Sequence, residues 1–250
     1  MGVTTGMNRT GMDLSPIDSN DVLETSRATV PSSPGDERDA ALVRSALANE
    51  APPIGSVPPP ATLKGMVESA AQMIQGKVPS ALLDKLGERL AFERTSSRLY
   101  EGIIAKFDGK GSFPGGPARE DLVAIRDEEA RHFEILRQAI VDLGGDPTAM
   151  TPGADVQGVA SMGLLQVVAD PRTTLAQALE AAHIAELSDN DAWFMLIDMV
   201  RAFGMDDLVD AFNLARAEEE RHLELVRRWI SDYSMLEIRG IVESPHKKAA

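Results

Sequence analysis

Two stretches of fourteen residues carry the same chemistry-bearing pattern. Residues 127–140 read DEEARHFEILRQAI and residues 217–230 read AEEERHLELVRRWI, identical at seven of fourteen positions without a gap. Each contains Glu-x-x-His: Glu129 with His132, and Glu219 with His222. Residues three apart on a helix share one face, about 5–6 Å apart at Cβ. One carboxylate and one imidazole can therefore grip the same metal ion, and two such helices can grip two.

Positioning those groups requires long helices, and the apolar spacing supplies them. A helix is predicted from Ser80, a plausible N-cap, to about Asp108, with an inward seam of Leu83, Leu86, Leu90, Glu93, Ser97, Tyr100 and Ile104. GKGSFPGGP (109–117) breaks it. The second helix, about Arg119 to Leu143, places Leu122, Ile125, Glu129, His132, Leu136 and Ala139 on one face. The third runs from Thr173 or Thr174 to about Phe203, with Leu175, Leu179, Ala182, Glu186, Asp189, Trp193, Leu196 and Val200 on its seam. The fourth, about Asp206 to Tyr233, carries Leu208, Phe212, Ala215, Glu219, His222, Val226 and Trp229.

Helices two and three are joined by residues 144–172, which include a modest apolar helix near 156–168. Antiparallel neighbours need only about 2–8 linking residues. A connection this long is read as a crossover between the two hairpins of a four-helix bundle. The expected organisation is all-α: a disordered Pro/Ser-rich tail over 1–60, a short lead-in helix and linker over 61–79, the bundle over 80–233 and a flexible C-terminal tail over 234–250.

Each seam carries one glutamate near its middle: Glu93, Glu129, Glu186 and Glu219. A buried, unpaired carboxylate costs several kcal/mol, and four converging ones repel one another. Two divalent cations would balance four negative charges while the imidazoles stay neutral. Protonating some carboxylates is the competing solution, but it leaves the placed histidines without a purpose. Glu93 precedes Glu129 by 36 residues and Glu186 precedes Glu219 by 33, so each half is a hairpin with a lone Glu followed by Glu-x-x-His. Tyr100 and Trp193 each follow their lone acid by seven.

Six residues in this order resemble the ferritin-like carboxylate bundles, which take a Glu from each of two helices and Glu-x-x-His from the other two. The resemblance covers 80–233 and is nearer to bacterioferritin, rubrerythrin and manganese-catalase bundles than to soluble oxygenase subunits. It implies that Glu129 and Glu219 bridge two metals, that Glu93 and Glu186 are terminal ligands, and that His132 and His222 cap one metal each. It further implies a catalytic donor role for Tyr100, although a tyrosine so placed is more often core filler. Asp189, one turn past Glu186, is open as an extra ligand or a supporting group. Glu180-x-x-His183 is read as surface or as a support beside the site, and Arg131 and Arg221 as partners of surface acids such as Glu128 and Glu218.

Composition narrows the chemistry. With no cysteine, thiolate metal sites, iron–sulfur clusters and thiol catalysis are excluded. A net charge of -14 argues against nucleic acid or an anionic membrane as partner. No signal peptide or apolar span is visible, so a cytoplasmic location is expected. Oxygen and imidazole donors suit two Fe ions, or alternatively two Mn ions. The expected function is redox chemistry of a di-iron site with dioxygen or peroxide; manganese-catalase-like peroxide disproportionation and non-enzymatic iron sequestration are the alternatives. The expected partners are the metal ions, a small oxidant and further copies of the chain, with a dimer among the expected assemblies.

Overall fold

The computed structural model describes residues 15–29, 37–52, 54–60, 65–67, 71 and 79–242. The chain divides into two units between Pro52 and Pro53. In the first, α1 (Pro16–Ala28) starts with a proline at its first position and α2 (Glu37–Glu50) is rich in alanine. Both helices lie within the stretch 1–60 that its composition marks as a tail. Proline at N1 gives up an N–H that has no helical partner anyway, and that is the local reason a helix can begin there.

The second unit holds the bundle. Its four long helices are α3 (Pro79–Lys110), α4 (Arg119–Asp142), α7 (Leu175–Phe203) and α8 (Asp206–Ile238). Between α4 and α7 run α5 (Pro152–Ala160) and α6 (Met162–Ala169), broken at Ser161 where one apolar helix was expected. Helix α3 pairs with α4 and α7 with α8, while α5 and α6 lie along α3. Ser80 falls inside α3 rather than capping it, and α8 continues past Tyr233.

Local chemistry sets the helix ends. Thr174 and Gln177 form a reciprocal capping box at the start of α7, and Thr151 accepts from the Ala154 N–H to start α5. Gly204 ends α7 in the left-handed conformation, with φ 74°. The crossover is pinned to α3 where Asp84 accepts from the Gly153 N–H at 2.7 Å. It sits so close at Gly87 that an added Cβ would lie 2.7 Å from Thr151 Oγ1.

The proline-rich residues before the bundle are anchored to it rather than leading up to it. The Ser56 N–H donates to Met150 O at 2.8 Å, and Val57 packs against the core residues of α3 and α4. The lead-in helix expected over 61–79 falls mostly outside the described residues; Gly65–Val67 are helical.

The core has three layers along the bundle axis. At one end Leu86, Leu90, Leu136, Trp193, Leu196, Phe212 and Ala215 pack together. At the other end Leu99, Ile103, Leu122, Ile125, Leu179, Val226 and Trp229 do so. Between these apolar layers all four helices present buried acids or histidines. No helix among the described residues is long and apolar enough to cross a membrane.

Candidate metal centre

The middle layer brings Glu93, Glu129, His132, Glu186, Glu219 and His222 together, none more than 2 % exposed. They form two overlapping groups whose donor atoms lie within 4.8 Å of one another. One is Glu93, Glu129, His132 and Glu219; the other is Glu129, Glu186, Glu219 and His222. Glu129 and Glu219 belong to both groups, so each could reach two ions, while Glu93 and Glu186 each belong to one.

Each histidine turns one nitrogen inward and the other outward. His132 Nδ1 lies 2.6 Å from Glu219 Oε1 and 3.8 Å from Glu93 Oε2. His222 Nδ1 lies 3.4 Å from Glu129 Oε1 and 3.8 Å from Glu186 Oε2. Outward, His132 Nε2 is 2.8 Å from Glu218 Oε2 and His222 Nε2 is 2.6 Å from Glu128 Oε2. The support is exchanged between helices, since Glu218 on α8 holds the histidine of α4 and Glu128 on α4 holds that of α8. Arg131 donates to Glu218 at 3.0 Å and Arg221 donates to Glu128. When Nε2–H donates to a carboxylate, a neutral imidazole carries its lone pair on Nδ1, facing the cluster.

The terminal acids are each held by one oxygen. Arg89 Nη2 donates to Glu93 Oε1 at 2.7 Å, and Tyr100 Oη donates to Glu186 Oε1. Asp189 is buried beside them but pairs with Arg89, and it lies outside both donor groups. Asn190 ties the two hairpin helices together by donating to Glu186 O at 2.9 Å and Glu219 O at 3.0 Å. Trp193 stacks edge-on to His132, with ring centroids 5.6 Å apart, and walls the site from the apolar layer.

Whether metal suits this cluster can be judged from the atoms that lack partners. Glu93 Oε2, Glu186 Oε2, all four oxygens of Glu129 and Glu219, and both histidine Nδ1 atoms are buried without a hydrogen bond. Buried polar atoms are ordinarily paired; among the described residues, all the unpaired side-chain atoms except Arg89 Nε, His183 Nε2 and Trp193 Nε1 belong to the two donor groups. The charges agree. Arg89 offsets Asp189, and Arg131 and Arg221 offset Glu218 and Glu128, which leaves four carboxylates for two divalent ions. The donor set fits a dinuclear centre.

Without cations, protons must carry the balance. Burial, then the charge of Glu219, pushes the Glu129 and Glu186 carboxyls well above the usual range. For Glu219 burial acts upward too, but the facing His132 and His222 imidazoles outweigh it and hold its carboxyl at about 2. Burial would lower both imidazoles, yet the facing carboxylates raise them. Tyr100 is pushed well above a normal phenol by burial and by Glu186, so its proton stays on the oxygen.

One reading of the sequence is corrected by this geometry, and one residue has no counterpart in it. Glu128 and Glu218 are not plain surface acids: they reach the histidines, and their arginine partners cross between helices. Their identity in both copies of the repeat was the available signal. Arg89 went unnoticed because a cation one turn from a glutamate is commonplace on helix surfaces. Glu180 is exposed, and neither it nor His183 joins a donor group.

Four helices, one lengthwise crossover and a Glu plus Glu-x-x-His from each half are the arrangement seen in ferritin-like carboxylate bundles. Among solved structures the chain is similar to one described as "ferritin like, diiron-carboxylate proteins" from Bacillus anthracis str. Ames. The TM-score is 0.46 and the identity 20 %, covering 61 % of this chain and 96 % of that one. No family model and no curated protein matches the chain.

Proposed function

We propose that this protein is a dinuclear redox protein holding two iron ions between Glu93, Glu129, His132, Glu186, Glu219 and His222, with dioxygen or peroxide as oxidant. The observation that carries the reading is the convergence of unpartnered donor atoms, backed by histidines whose outer nitrogens are already fixed. Two iron ions held there, each changing charge by one unit, would supply the two electrons that, with two protons, reduce hydrogen peroxide to two waters.

The chain's own residues prepare for that chemistry. Glu129 and Glu219 have both oxygens free, so they can span two positions and adjust as charge changes. Apolar layers above and below exclude bulk water, which strengthens every charge interaction inside. Tyr100 keeps its proton and offers it to Glu186, close enough to act as hydrogen-bond or electron donor to the site.

Element-resolved anomalous scattering from crystals of the protein as purified tests the metal. Iron at both positions is the expected result; manganese at both would redirect the reading to peroxide disproportionation. Stopped-flow absorbance after oxygen meets the Fe(II)-loaded protein tests reactivity. A signal that is absent, or unchanged in Glu129→Ala, overturns the redox assignment. A large hollow assembly on size exclusion would favour sequestration over turnover.

A further inference from the structure

The two halves of the repeat differ around their terminal acids. Glu93 and Glu186 both have Oε1 engaged and Oε2 free, but the donors are unlike. Glu186 accepts from the neutral phenol of Tyr100. Glu93 accepts from a guanidinium, Arg89, which is 3 % exposed and stacked 4.6 Å over the Phe92 ring. The position equivalent to Arg89 on α7, one turn before Glu186, is Ala182, which carries no charge.

A charge-assisted hydrogen bond is about twice as strong as a neutral one. Arg89 therefore draws more electron density from Glu93 than Tyr100 draws from Glu186. It also sets a fixed positive charge beside only one of the two positions. Asp189 balances that charge overall, but the Nη2 that meets Asp189 still holds the Glu93 oxygen.

We infer that Arg89 makes the two metal positions unequal: the one capped by Glu186 and His222 is tighter and fills first, and the one capped by Glu93 and His132 is weaker and exchanges. Arg89 is thus a positioning residue, acting through Glu93. The inference rests on the dinuclear reading above.

The test is anaerobic titration of metal-free, full-length protein with Co(II), followed by calorimetry and cobalt absorption. Two steps of one equivalent each, separated about tenfold in Kd, are expected. Glu93→Gln keeps the tight step and loses the weak one; Glu186→Gln does the reverse. Removing both charges in Arg89→Gln/Asp189→Asn narrows the gap to about threefold or less, whereas Arg89→Lys keeps it. Circular dichroism checks folding, and the two glutamate variants decide the order even if the double variant does not fold. Two steps of equal affinity, loss of the tight step in Glu93→Gln, or an unchanged gap in a folded double variant overturns the inference alone. A protein that binds no Co(II) overturns the dinuclear reading with it.

Discussion

His222 on α8 places its Nε2 2.6 Å from a carboxylate oxygen of Glu128 on α4, ninety-four residues earlier. The bond crosses from one hairpin to the other, and its mirror, His132 to Glu218 at 2.8 Å, crosses back. Each histidine is oriented by the helix that carries the other histidine, so neither half of the repeat can complete its own site.

Glu128→Ala should therefore weaken metal binding while Glu-x-x-His itself stays intact. Loss of such a supporting carboxylate costs about 10–100-fold in affinity. The loss should fall on the position of His222, and Glu218→Ala should move it to that of His132. Competition with a chromophoric chelator measures both. Unchanged affinity would show that the crossed bonds are ornamental.

Removing a bridging acid separates stability from binding. Glu129→Gln puts a neutral amide of similar size where burial and Glu219 already favour the protonated carboxyl, so the metal-free protein should melt no lower than the parent. The gain in Tm on adding metal should shrink, because ligand-linked stabilisation follows occupancy and affinity. Calorimetric scans with and without Mn(II) check this; an undiminished metal-induced shift would place the ions elsewhere.

Protons and cations compete for the same atoms. Glu129, Glu186 and both histidines hold protons more firmly in the metal-free fold than in an unfolded chain. Groups raised in this way stabilise the fold fully below their unfolded pKa, and the contribution fades as pH climbs through the raised value. Metal-free protein should thus lose stability as pH climbs from the ordinary carboxylate and imidazole range, about 4–6.5, towards the raised values, while the loaded protein resists. Glu219, held at about 2, works in the opposite sense only in strong acid. Metal uptake should release protons and weaken as pH falls, which an indicator dye in dilute buffer would register.

At Tyr100 the expectation is a functional change without loss of metal. Tyr100→Phe leaves Glu186 Oε1 without its donor, at a cost of about 1–3 kcal/mol. Metal content should stay at two ions per chain while the rate of reaction with peroxide falls. An unaltered rate would reduce Tyr100 to packing.

Far from the metals, Gly87→Val should disturb the crossover. A Cβ there would already meet Thr151 Oγ1 at 2.7 Å, and a branched side chain must push α5 off α3. Overpacking of this kind costs about 1–3 kcal/mol. Denaturant midpoints would show it, with metal stoichiometry unaffected because the donor layer lies on other residues.

Much of the architecture is written locally. The seven-residue identities of the repeat, the seam positions of the four acids and the length of residues 144–172 lead to a bundle with one crossover, because helical periodicity alone fixes which side chains face inward. The same periodicity brings each histidine within reach of its own glutamate. Other features depend on what neighbouring helices place opposite. Asp189 could be read as ligand or support, and only the packing of α3 against α7 sets it against Arg89. Glu128 and Glu218 look like surface charges on any single helix, and become the anchors of His222 and His132 once α4 and α8 meet. A sequence states what each face carries; the partner across the core depends on the register of one helix against another, which distant contacts set and no local pattern records.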